Sequence, residues 1–210
     1  MESSGCKIIF VEQENSLGLR FQHYRKINKF TDVKVKAGNI VMNAHRIILE
    51  SASPVIKRMF GSDLSDAEIL EFSPQIVNPE ILENLLDVFY TAPAKIKTKN
   101  VLPLLIASHY FEMENSVEKC ERFLLDEITE DNVFNLYDFS KNLQLTSLKQ
   151  RCRKYFVFKN KFILGNPKLL SFDFDEIQQI LQEMIIGNKS DISHFKEQIF
   201  RFIISWAEND

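Results

Sequence analysis

The feature that most constrains this chain is a change of hydrophobic period near residue 126. Before it, short β-branched runs alternate with helical stretches. The segments 7–12, 32–36, 40–42 and 68–72 read as strands, with Ala37-Gly38-Asn39 turning the second into the third. Helices are expected over 14–29, over 45–50, from Ser53-Pro54 to Gly61, from Asn78-Pro79 to Phe89, and over 98–109 and 113–126. Ser53 is a candidate N-cap with proline at the first helical position, and Asn78-Pro79 repeats that pattern. After residue 126 every element follows the helical period. Ile177, Ile180, Leu181, Met184 and Ile185 form one such stripe, and Ile199, Phe202, Ile203 and Trp206 form another. Thr129 and Thr146 are candidate caps for the first two of these helices. The pattern predicts an α+β part followed by an all-α part, with no glycine-, serine- or proline-rich linker between them.

Composition narrows the function classes. Of the 210 residues, 45% are hydrophobic and 26% charged, which excludes intrinsic disorder. No apolar run approaches the ~20 residues of a membrane span. Met1 to Gly5 lacks the basic start and apolar core of a secretory signal, so the chain is expected in the cytosol or nucleus. A net charge of −3 favours neither nucleic acid nor an anionic membrane. Three cysteines, at 6, 120 and 152, are too widely spaced for a zinc motif and odd in number for a disulfide framework. They read as reduced, packed thiols. Eighteen phenylalanines supply ample core or surfaces that end buried in partners.

The sequence carries no motif for catalysis. A phosphate-binding glycine loop, a GxSxG elbow and an HExxH helix are all absent, and His23, His45, His109 and His194 share no ligand spacing. No enzyme activity, cofactor or metal is expected. Asp32 and His45 are read as a structural pair near the core. The basic aromatic stretch from Lys149 to Phe162 could in principle hold single-stranded nucleic acid, but it reads better as an amphipathic helix with rings inward and charges outward.

Phe30-Thr31-Asp32-Val33, Ala44-His45-Arg46-Ile47-Ile48-Leu49, Ser51-Ala52-Ser53-Pro54 and Met59-Phe60 follow one another in the order of the BTB/POZ signature, which the chain therefore resembles. Val55 stands where that family usually has Tyr or Phe. Leu86-Asp87-Val88-Phe89-Tyr90-Thr91, Ala107 to Met113 and Cys120 to Leu124 resemble its later helices. Glu197 to Trp206 is similar to a helix of the BACK domain that follows BTB in kelch-like proteins. The resemblance implies a BTB/POZ fold, a helical cluster capped by a small sheet, and then an all-α BACK domain. The expected divisions are 1–29 for an N-terminal strand and helix, 30–126 for the BTB/POZ domain, and 127–210 for the start of BACK.

By resemblance the chain is a homodimeric adaptor of a cullin-3 ubiquitin ligase, joining the cullin-3 N-terminal region to an unidentified protein substrate through a module outside this sequence. Ile8, Phe10, Leu17, Phe21 and Tyr24 are the implied dimer residues. Leu64, Asp66 and Tyr90 are the implied cullin contacts, with Leu64-Ser65-Asp66 in place of the family's hydrophobic-x-Glu motif. The acid is one methylene shorter than glutamate. Asp32 and His45 are implied to be the family's structural pair. The rival reading is a cullin-independent BTB scaffold, such as a transcriptional regulator or a cytoskeletal assembly factor.

Overall fold

A computed structural model describes residues 16–61, 69–94, 96–187 and 192–208. The expected strand at 7–12 and the Leu64-Ser65-Asp66 motif lie outside these. The chain divides into two compact units between Leu124 and Leu125.

The first unit opens with helix α1, Ser16–Lys26, and then a hairpin of β1, Val33–Ala37, and β2, Ile40–Ala44. Ala37 pairs with Ile40, leaving Gly38 and Asn39 as the turn. Gly38 sits at φ +56°, and a Cβ there would lie 2.9 Å from Pro79 Cγ, so position 38 disfavours any side chain. Two short helices follow, α2 at Arg46–Ala52 and α3 at Pro54–Gly61. Ser53 caps the second as expected, its Oγ accepting from the Ile56 N–H at 3.2 Å while donating to the Phe111 carbonyl at 2.7 Å. Strand β3, Ile69–Phe72, then adds to β1 in parallel, giving the sheet order β2-β1-β3. A single 3-10 turn, Pro79–Ile81, runs into α4, Leu82–Phe89, and Asn78 Oδ1 accepts from the Glu80 N–H at the start of that turn. Helices α5, Thr98–Tyr110, and α6, Glu114–Asp126, complete the unit. Its core gathers Val33 and Val35 from the sheet, Ile56 and Phe60 from α3, and Leu82, Leu85, Leu86 and Phe89 from α4.

In the second unit every element is helical: α7 at Val133–Asn142, α8 at Thr146–Phe158, α9 at Asn160–Leu164, a 3-10 segment at Pro167–Ser171, α10 at Phe174–Gly187 and α11 at Ile192–Ala207. Its centre is aromatic. Phe156 lies 5.3 Å from Phe134 and 5.2 Å from Tyr137, and Tyr137 stacks on Phe172 at 5.3 Å. Ile177, Ile180, Leu181 and Met184 are buried as their spacing predicts, but Ile185 is 55% exposed. The two threonine caps are corrected. Helix α7 begins after Asn132, whose Oδ1 accepts from the Thr129 N–H, and Thr146 is the first helical residue, behind Leu145, instead of the cap.

Six glycines suffice for this many helices because several ends close without one. Asn28, Thr91, Glu112 and Gln144 each adopt a left-handed φ between 53° and 56°. In each case the residue's N–H bonds three positions back and the next N–H bonds five back, for example Asn28 to Arg25 and Lys29 to Tyr24. That is the Schellman closure, here built on side-chain-bearing residues that usually yield the position to glycine. Cys120 and Cys152 are free and fully buried, one in each unit, and burial pushes both thiols up to about 12.

Candidate interaction site

Helix α1 is where the first unit presents apolar side chains outward. Leu17 is 62% exposed, and Leu19 and Ile27 are also exposed, while Phe21 and Tyr24 are half-buried. Phe30, Val41 and Ile47, on the turn and elements that follow, add further exposed apolar side chains. Of the implied dimer residues, the structure thus places Leu17, Phe21 and Tyr24 on one short helix. Ile8 and Phe10 lie outside the described residues.

Apart from the edge of Phe21 against the His45 ring at 5.7 Å, what holds α1 down is polar. Arg25 is its one buried side chain among Leu17 to Lys26, at 5% exposure. Arg25 Nη2 donates to Asp87 Oδ1 at 3.2 Å, and Gln22 Nε2 donates to the same oxygen at 2.7 Å. The guanidinium lies 5.6 Å from the centre of the Tyr90 ring. The Tyr90 hydroxyl accepts from the His45 backbone N–H at 2.8 Å and lies 2.7 Å from His45 Nδ1. His45 Nε2 in turn meets the Lys29 carbonyl at 2.9 Å, in the turn that ends α1. With the hydroxyl donating a hydrogen bond to Nδ1 and Nε2–H donating to the carbonyl, both ring nitrogens of the imidazole are satisfied.

Two expectations need correcting here. Asp32 and His45 are not bonded side chain to side chain. Both imidazole nitrogens are engaged by Tyr90 and Lys29, and the exposed Asp32 carboxylate instead accepts from the Arg46 N–H at 2.7 Å, at the start of α2. Each residue anchors the hairpin-to-helix junction, but separately. Tyr90, implied as a cullin contact, is 1% exposed, so its side chain offers no surface. Its phenol is pushed up to about 12, chiefly by burial; the Asp32 charge adds to this, against the His45 N–H and the Arg25 charge. Sequence reasoning missed Arg25, Gln22 and Asp87, because helical periodicity looks for apolar residues inside.

The basic aromatic stretch resolves into ordinary helix surface. Cys152 and Phe156 are buried, Arg153 bonds Glu183 and Gln179, and Lys159 pairs with Glu130. Phe158 departs from the expected inward rings, at 79% exposure. Among the described residues no cluster of His, Cys, Asp and Glu gathers as a metal site would need, and no helix is long and apolar enough to cross a membrane.

Comparison with known proteins bears on this arrangement. The family model for the BTB/POZ domain matches residues 21–128. Kelch-like protein 8 of Caenorhabditis elegans is 27% identical over 200 residues, which is 95% of this chain and 28% of that protein. Kelch-like protein 6 of Homo sapiens is 28% identical over 210 residues, covering 98% of this chain and 33% of that protein. Kelch repeat and BTB domain-containing protein 12 of Homo sapiens is 25% identical over 208 residues, again 98% and 33%. The chain spans about a third of the length of these curated relatives. With the family model covering just over half of its residues, and similarity to kelch-like proteins running on through the helical second unit as a BACK region would, this chain belongs to the BTB/POZ domain family.

Proposed function

We propose that this chain is the dimerising, cullin-facing part of a substrate adaptor for a cullin-3 ubiquitin ligase, working in the cytosol or nucleus. The observation that carries the reading is the BTB/POZ match together with similarity to kelch-like proteins over nearly the whole chain. The exposed apolar side chains of α1 support self-association, since burying such a strip stabilises by roughly 25 cal/mol per Å². The adaptor supplies proximity instead of catalysis: it raises the effective concentration of a bound protein substrate near the ligase. The substrate is held by a further module of the longer protein. Leu64 and Asp66 are the residues proposed for the cullin contact, with Leu64 filling an apolar pocket and Asp66 accepting hydrogen bonds beside it. Tyr90 contributes from inside the unit, through its hydrogen bonds to His45 and its packing under Arg25.

Titration calorimetry with the cullin-3 N-terminal region tests this. Leu64→Asp removes about 1.5–3 kcal/mol of burial and brings an unpaired charge to the pocket, so binding should fall below detection. Asp66→Glu restores the missing methylene and should tighten binding by a few-fold to about tenfold, the latter being about 1.4 kcal/mol. Equal binding by the parent and Leu64→Asp would refute the motif assignment. No binding by the parent, and none regained in Asp66→Glu, would favour the cullin-independent scaffold, for which the shortened acid is the specific observation.

A further inference from the structure

A helix normally docks through an apolar stripe, and α1 does not. Leu17 and Leu19 on it, and Ile27 just past its end, face solvent, and the one side chain among Leu17 to Lys26 taken out of water is a guanidinium. Its charge meets a single carboxylate oxygen, which it shares with Gln22. Arg25 Nε is buried and has no acceptor among the described residues. The other ties are the edge-to-face contact of Phe21 with His45 at 5.7 Å, the His45–Lys29 contact and a 2.8 Å bond from Asn43 Nδ2 to Asn28 Oδ1. Eleven residues are too few for a stable helix in water, so α1 depends on these ties. A desolvated ion pair comes near to breaking even, and an unmet donor weakens it further. The element α1 packs on most closely is β2, whereas Leu82, Leu85, Leu86 and Phe89 on α4 lie fully buried in the core beneath.

We propose that α1 is a strap held by a polar latch, Arg25 on Asp87, and that it releases as a unit without unfolding the core. Resting on the dimer reading above, the latch also governs assembly, because Leu17, Phe21 and Tyr24 form a rigid face only while the strap is seated. Breaking either partner leaves a buried polar group unmet and opens the strap. Replacing both with apolar side chains removes the desolvation cost of the pair, at the loss of the part-buried Gln22 bond to Asp87, and keeps the strap seated.

Hydrogen exchange on the full chain, with sedimentation run in parallel, tests the latch. Asp87→Asn should speed exchange of amides 17–26 by tenfold or more and leave β1 and α4 within twofold of the parent. The double variant Arg25→Met/Asp87→Leu should return α1 to the parent rate or slower. In sedimentation, Asp87→Asn should weaken the dimer at least tenfold and the double variant should restore it. The latch is overturned if Asp87→Asn changes α1 by less than twofold, if it speeds every element alike, or if α1 exchanges faster in the double variant than in the parent. Should Asp87→Asn not fold, the double variant alone decides by that last criterion. A parent that sediments as a monomer, with the exchange pattern as expected, refutes the dimer reading and leaves the latch standing.

Discussion

Helices α1 and α10 are similar in length and opposite in attachment. Helix α10 buries Ile177, Ile180, Leu181 and Met184 along one stripe, whereas α1 buries Arg25 alone among its described side chains, Leu17 to Lys26. An apolar stripe is non-directional and adds up with area, so α10 tolerates small shifts. A buried guanidinium is directional and loses most of its value when one partner goes. The contrast extends to the surroundings. The second unit closes on stacked rings around Phe156, and the seam of the first unit runs through Tyr90, His45 and Asp87.

The largest effect should come from the ring cluster. Phe156→Ala removes a fully buried ring with three ring neighbours, Phe134, Tyr137 and Phe172, and should destabilise the chain by about 3–5 kcal/mol in chemical denaturation. A loss under 1 kcal/mol would mean that the second unit is not held by that cluster. Next is the polar seam. Tyr90→Phe keeps the ring and strands the His45 N–H and Nδ1, for an expected loss of about 1–3 kcal/mol. The phenol also sets a sign with pH. Its pKa is higher folded than unfolded, so its stabilisation is complete below pH 10 and is lost as pH rises through about 12. Alkaline unfolding should therefore be shallower in Tyr90→Phe than in the parent between those values, and an unchanged slope would place the titration elsewhere. The smallest effect has the opposite sign. Gln144 is exposed and left-handed at φ 56°, so Gln144→Gly should stabilise by about 0.5–1 kcal/mol, read as a rise in melting temperature. A fall would show that the side chain makes a contact worth more than the backbone relief.

These same residues mark what the amino-acid sequence made legible. The stripe of α10, the Ser53 cap and the Gly38-Asn39 turn were readable because each is a local rule expressed within a few positions. The parallel pairing of β3 with β1 was not, since nothing near Ile69 records which edge it joins. Helix ends at Thr91, Glu112 and Gln144 were hidden for another reason: a left-handed residue that is not glycine or asparagine carries no compositional mark. Of the candidate site, the helix that carries Leu17, Phe21 and Tyr24 was legible, and its anchor was not. Tyr90 was located by its place in a motif, which says where a residue falls in the chain but not whether its side chain faces out. Arg25 reads as a surface charge until Asp87, 62 positions away, is brought beside it.

The two buried thiols give the chain a built-in report of its own breathing. Burial holds Cys120 and Cys152 in the protonated thiol form at neutral pH, and alkylating reagents and oxidants act on the thiolate. Neither sulfur is a sensor while its unit stays shut. Each turns reactive when its own surroundings part, so the labelling rates of the two positions run as separate clocks, one timing the first unit and the other the second.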